Sequence, residues 1–124
     1  MRCSGCGECC HETEMELSNH DVKRLASAGY RPEDFIVVCD GVPRLKNVNG
    51  WCYFYSLADK RCRVYKIRPL GCRLYPVVYV DGKGVVLDDL CPMRHTVSDV
   101  EFKRKAKILM RLLEEIYGGR LFRC

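Results

Sequence analysis

The first ten residues, MRCSGCGECC, constrain this chain more than any other stretch. Four of them are cysteines, Cys3, Cys6, Cys9 and Cys10, in the spacing C-x2-C-x2-C-C. Ser4, Gly5, Gly7 and Glu8 cannot build a hydrophobic core, so a terminus of this composition is expected to order only when something ties it down. Thiolates are the preferred ligands of zinc and of iron–sulfur clusters. A C-x2-C unit brings two sulfurs around one metal, and Gly5 and Gly7 permit the positive φ that aims backbone N–H groups at sulfur. One such unit is a weak signal; two overlapping copies followed by a further cysteine are specific.

Ten cysteines in 124 residues require either a disulfide framework or a metal site. Met1 stands two residues before Cys3, which leaves no room in this sequence for a signal peptide. The expected compartment is therefore the reducing cytoplasm, where clustered cysteines serve metals rather than disulfides. No apolar run approaches membrane-spanning length. The net charge of +5 is too mild to imply nucleic acid by itself, and it suits a site whose thiolates carry negative charge.

The remaining cysteines are Cys39, Cys52, Cys62, Cys72, Cys91 and Cys124. Cys3-x2-Cys6-x2-Cys9 matches the first three ligands of the bacterial ferredoxin pattern, whose fourth cysteine precedes a proline. Cys91-Pro92 is the only Cys-Pro pair here. This favours a [4Fe–4S] cluster, with Zn2+ as the alternative. Cys3, Cys6, Cys9, Cys10, Cys52, Cys62, Cys72 and Cys91 make eight thiols, enough for two four-thiolate centres. Adjacent side chains tend to diverge, so Cys9 and Cys10 can serve different centres or divide into ligand and neighbour. Cys39 follows Phe35-Ile36-Val37-Val38 and reads as a small buried hydrophobe. Cys124, the last residue, reads as frayed.

The segment CRVYKIRPLGCRLYP, from Cys62 to Pro76, carries the second signal. Arg68 and Arg73 stand beside Cys62 and Cys72, where guanidinium groups can offset thiolate charge and donate to sulfur. Arg63 is a weaker candidate for the same role. Of the three histidines, His11 and His20 read as solvated, and His95 near Cys91 is left open.

The expected fold is α+β, one domain over 1–124, with an N-terminal helix, two β-hairpins and a long C-terminal helix stapled by the metal centre or centres. Ser18 with Asp21 caps a helix at about 19–28, which Gly29 ends. A second helix is expected at about 32–37, with Pro32 in its first turn. Met15–Leu17 reads as extended. Pro43–Lys46 and Trp51–Tyr55 read as a hairpin closed by Asn49-Gly50. Val64–Ile67 allows one helical turn, stopped before Pro69. Val77–Val80 and Val85–Leu87 form a second hairpin. Ser98 and Glu101 begin the last helix, whose apolar face is Phe102, Ala106, Leu109, Leu113 and Ile116. Lys103, Arg104, Lys105 and Lys107 lie mostly off that face and read as a solvated surface.

Cys3-x2-Cys6-x2-Cys9-Cys10, then Cys52, then Cys62-x2-Tyr65-x2-Arg68-Pro69-x2-Cys72-Arg73-x-Tyr75-Pro76, resembles the CxxCxxCC family of zinc- or iron-chelating proteins (YkgJ-like cysteine cluster proteins). The resemblance covers roughly residues 1–95 and implies a metal or Fe–S centre. Flagellin lysine methylases carry a similar signature in a longer chain, but no stretch here resembles a methyl-donor-binding domain. The expected function is to hold one or two Fe–S clusters for a redox, sensing or cluster-delivery role, with a protein redox or client partner. The alternatives are structural zinc, a cluster-dependent modifying enzyme, or a nucleic-acid module using the basic terminal helix, the last disfavoured. No Ser-His-Asp, phosphate-loop or dinucleotide fingerprint is present, so whether the chain is an enzyme is left open. A core this small implies that the metal-free chain folds poorly.

Overall fold

A computed structural model of the chain describes residues 7–118, the side chain of Glu8 excepted. The expectations for Cys3, Cys6 and Cys124 lie outside these residues. The architecture is α+β: helices combined with four short two-stranded antiparallel pairings.

Helix α1, Asn19–Ser27, begins where Ser18 and Asp21 reciprocate in a capping box. The helix expected at 32–37 stops sooner, as α2, Pro32–Phe35. Its continuation is strand β1, Ile36–Cys39, which pairs with β2, Val42–Leu45. The reason is the turn between them. Asp40 and Gly41 sit at φ 54° and 78°, the left-handed pair that closes a tight hairpin, and the β-branched run Ile36-Val37-Val38 prefers the strand. Asn49-Gly50 turns as expected, at φ 52° and 85°, but it joins only β3, Asn47–Val48, to β4, Trp51–Cys52. A third hairpin, β5 Tyr55–Ser56 with β6 Arg61–Cys62, falls in a region without periodic signal.

Tyr65–Ile67 makes the single helical turn expected there. Helix α3, Leu70–Leu74, follows Pro69 and was not legible in the sequence pattern. The last hairpin is β7, Val77–Val80, with β8, Gly84–Leu87. Helix α4, Asp99–Tyr117, starts at Ser98, whose hydroxyl accepts from the Glu101 N–H, and ends at Gly118 with φ 57°. The stretch Met15–Leu17 is extended, as expected, and crosses the outer edge of β2: Leu45 N–H donates to Met15 O and Leu17 N–H to Pro43 O, both at 2.9 Å.

Two apolar clusters result. One gathers Leu17, Leu25, Phe35, Leu45, Phe54 and Val64 around Cys52, with Cys10, Cys62 and Cys72 packed on it. The other joins Val42, Leu74 and Val77 to the buried face of α4. That face includes Leu109 and Leu113, as the periodicity predicts, and also Leu112 and Tyr117. Among the described residues no helix is long and apolar enough to cross a membrane.

Candidate metal centre

Four separate segments deliver cysteines to one place. A 3-10 turn over Glu8–Cys10, closed by Cys10 N–H to Gly7 O at 2.9 Å, presents Cys9 and Cys10. Strands β4 and β6 present Cys52 and Cys62, and α3 presents Cys72. All five line a single cavity of about 210 Å3. The thiols of Cys9 and Cys10 thus converge instead of diverging: their side chains hydrogen-bond to each other and line the same cavity. Among the described residues, no three His, Cys, Asp or Glu side chains are close enough together to hold one ion.

The surroundings divide the five thiols, favouring thiolate at Cys9 and Cys62 and the protonated form at Cys10, Cys52 and Cys72. Cys10 hydrogen-bonds to both Cys62 and Cys9, which holds the Cys10 thiol protonated and favours thiolate at its two neighbours. Cys62 falls to about 7 through that bond, helped by the Val64 N–H on its sulfur and by the charges of Arg68 and Arg63. Cys52 is pushed up to about 11 by burial, against the Phe54 N–H on its sulfur. Burial raises Cys72 as well, with the surrounding sulfurs adding to it. In each hairpin cysteine, the N–H two residues on faces the sulfur, the arrangement that stabilises a coordinating thiolate.

Arg68 and Arg73 both line the cavity. The Arg68 guanidinium lies 4.0 Å from the centre of the Tyr65 ring and donates to Tyr65 O at 2.7 Å, which fixes it beside Cys62 and Cys9. Arg63 bonds to the Tyr53 and Phe54 carbonyls and still adds positive charge near Cys52 and Cys62. The structure corrects the reading of Lys105. It is not solvated: only 12% of its side chain is exposed, it pairs with Glu101 at 2.8 Å, and both residues line the thiol cavity. The i,i+4 spacing of Glu101 and Lys105 was the available signal.

Cys91 is buried, but it does not line this cavity. Cys39 is half-buried and disulfide-bonded, which corrects its reading as a buried hydrophobe. The exposure of Val37 and Val38 explains the error, since β1 shows both of these valines to solvent. His11 packs against Trp51 with ring centres 4.6 Å apart, His20 approaches Glu115 at 3.9 Å, and His95 is exposed. None of the three lines the thiol cavity.

Comparison with known proteins agrees with this chemistry. The family model CxxCxxCC, described as "Putative zinc- or iron-chelating domain", matches residues 2–104. An uncharacterized protein of Methanocaldococcus jannaschii, MJ0661, is 32% identical over 101 residues, 75% of this chain. The chain spans about half, 54%, of that relative's length. No solved structure matches.

Proposed function

We propose a function from the premise that the chain belongs to the CxxCxxCC family of zinc- or iron-chelating domains: it holds an iron–sulfur cluster in the cavity lined by Cys9, Cys10, Cys52, Cys62 and Cys72. One observation carries this reading. Five thiols from four segments border one cavity of about 210 Å3. A single water needs only about 10–15 Å3, so the space suits a group of several atoms better than one tetrahedral ion.

When bound, such a cluster supplies one-electron chemistry whose potential follows charge and hydrogen bonding at its sulfurs. The chain's own residues provide those controls. Arg68, Arg73 and Arg63 balance thiolate charge. The N–H groups of Phe54 and Val64 orient the sulfurs of Cys52 and Cys62. Phe54, Val64 and Pro69 keep one wall of the cavity apolar. Cys91, which is buried outside this cavity, completes the eight-thiol set with Cys3 and Cys6, enough for a second centre, and the use is redox, sensing or cluster delivery.

Anaerobic purification with iron, sulfide and zinc assays tests the proposal. A brown protein with near-stoichiometric iron and sulfide supports it; stoichiometric zinc without sulfide assigns structural zinc instead. Cys72→Ser is expected to lower metal content and melting temperature together, and full metal retention would remove Cys72 from the ligand set.

A further inference from the structure

Beside the thiol cavity, and sharing Cys62 with it, lies a broad surface groove of about 990 Å3. Cys62, Val64 and Tyr65 border both spaces and form the wall between them. The groove is basic: Arg61, Arg63 and Lys66 line it, against Asp59 alone. Among the described residues none of these three cations pairs with a carboxylate. Asp59 is engaged with Ser56, whose hydroxyl donates to it at 3.2 Å. Tyr65, which borders both spaces, is 49% exposed, with the Arg68 guanidinium over its ring. Tyr30 gives the groove an aromatic flank.

Arginine and exposed aromatic side chains are enriched at protein-docking surfaces, and here three cations without a carboxylate partner among the described residues stand with Tyr65 around one groove. We infer that this groove is the docking site for a partner protein presenting a carboxylate-rich surface. The inference rests on the thiol cavity being the metal centre, because what distinguishes the groove is its position. A partner seated there touches Cys62, the thiol that both spaces share. Cation complementarity would steer such a partner and fix its orientation more than it would add affinity.

The chain has a second basic patch, Lys103, Arg104, Lys107 and Arg111 on the outer face of α4. It shares no residue with the thiol cavity. The two patches can therefore be set against each other in one experiment.

The probe is a fluorescein-labelled hexaglutamate peptide, titrated by anisotropy into the full chain as purified anaerobically, with hexalysine as control. Bound peptide is then joined to the protein with a carbodiimide and the lysine attached is mapped by mass spectrometry. Saturable, salt-sensitive binding and attachment at Lys66 are expected. Arg61→Glu with Lys66→Glu should weaken binding by about tenfold, as two reversed surface charges can, while leaving iron and zinc content unchanged. Lys103→Glu with Lys107→Glu should change it by less than about twofold. Attachment only at Lys103 or Lys107, or an affinity indifferent to Arg61 and Lys66, overturns the docking site and leaves the metal reading intact. Binding at Lys66 by a protein that carries no metal separates the other failure, that of the metal centre.

Discussion

Asp21 Oδ1 accepts a hydrogen bond at 3.0 Å from the backbone N–H of Leu70, 49 residues away in the chain. The same carboxylate accepts from Ser18 N–H at 3.0 Å and from Arg24 Nη2 at 2.9 Å, and it is 1% exposed. Arg24 in turn donates to the carbonyls of Ile67 and Arg68. The first turns of α1 therefore grip the segment that opens α3 and carries Cys72. Asp21→Ala leaves the Leu70 and Ser18 donors without their charged acceptor and should cost roughly 3 kcal/mol. Denaturant unfolding measures the loss, and metal content should fall with it because Cys72 loses its anchor. A change below about 1 kcal/mol would mean that the carboxylate does not hold the two helices together.

Gly71 stands on the buried side of α3, where an added Cβ would collide with Sδ of Met15. The glycine lets α3 lie against the extended stretch that follows the cysteine motif. Gly71→Ala should cost roughly 1–2 kcal/mol, since the Met15 side chain can yield only in part. Combined with Met15→Ala, the alanine should be tolerated better, giving a coupling of about 1 kcal/mol in a double-mutant cycle. Strict additivity would show that this contact does not dictate glycine.

Much of the scaffold was legible because its signals are local. Ser18 with Asp21, Ser98, Asn49-Gly50 and Gly118 each act through their own backbone neighbours. The stretch 36–41 was misread, and with it the partner of the strand at 43–46, although a local signal was there: Asp40-Gly41 closes a hairpin, yet Pro32, Glu33 and Asp34 invite extending the helix past Phe35. The thiol constellation could be read as composition but not as geometry. Its members come from four elements, and no pairing rule in sequence brings β4, β6 and α3 to one cavity. The second role of Asp21 was hidden for the same reason, since a capping box accounts for the residue fully. Lys105 was misread because the charge of a side chain predicts exposure only until a neighbouring carboxylate and an adjacent thiol cavity make burial favourable.

The thiols themselves should react in order. In the reduced, metal-free chain, Cys62 and Cys9 are the ones shifted toward thiolate, through the Cys10 hydrogen bonds, whereas burial raises Cys52 and Cys72. Only thiolates alkylate quickly. A brief iodoacetamide pulse near neutral pH should therefore label Cys62 and Cys9 before Cys52 and Cys72, as read by peptide mass spectrometry. Cys10→Ala should slow labelling at Cys62 by removing the first of these influences. Uniform labelling of all four would contradict the arrangement around Cys10.

The end of α4 should impart an alkaline limit to stability. Arg44 Nη2 donates to the Tyr117 hydroxyl at 2.6 Å, and that hydroxyl donates to Glu16 Oε2 at 2.9 Å. This joins α4 to β2 and to the extended stretch before α1. Burial and the Glu16 carboxylate push Tyr117 up to about 12 from its ordinary value of 10, with Arg44 opposing them. The folded state thus holds this proton more tightly than the unfolded chain does. Its contribution is fully present below about pH 10 and is lost as pH rises through about 12. Tyr117→Phe should remove roughly 1–2 kcal/mol at neutral pH by leaving Glu16 and Arg44 without the bridging hydroxyl. The variant should also lack the component of alkaline destabilisation that belongs to this tyrosine. Melting curves between pH 8 and 12.5, about the range over which tyrosine titrates, compare the two proteins directly; an alkaline decline of the same size in the phenylalanine variant would assign the effect to another group.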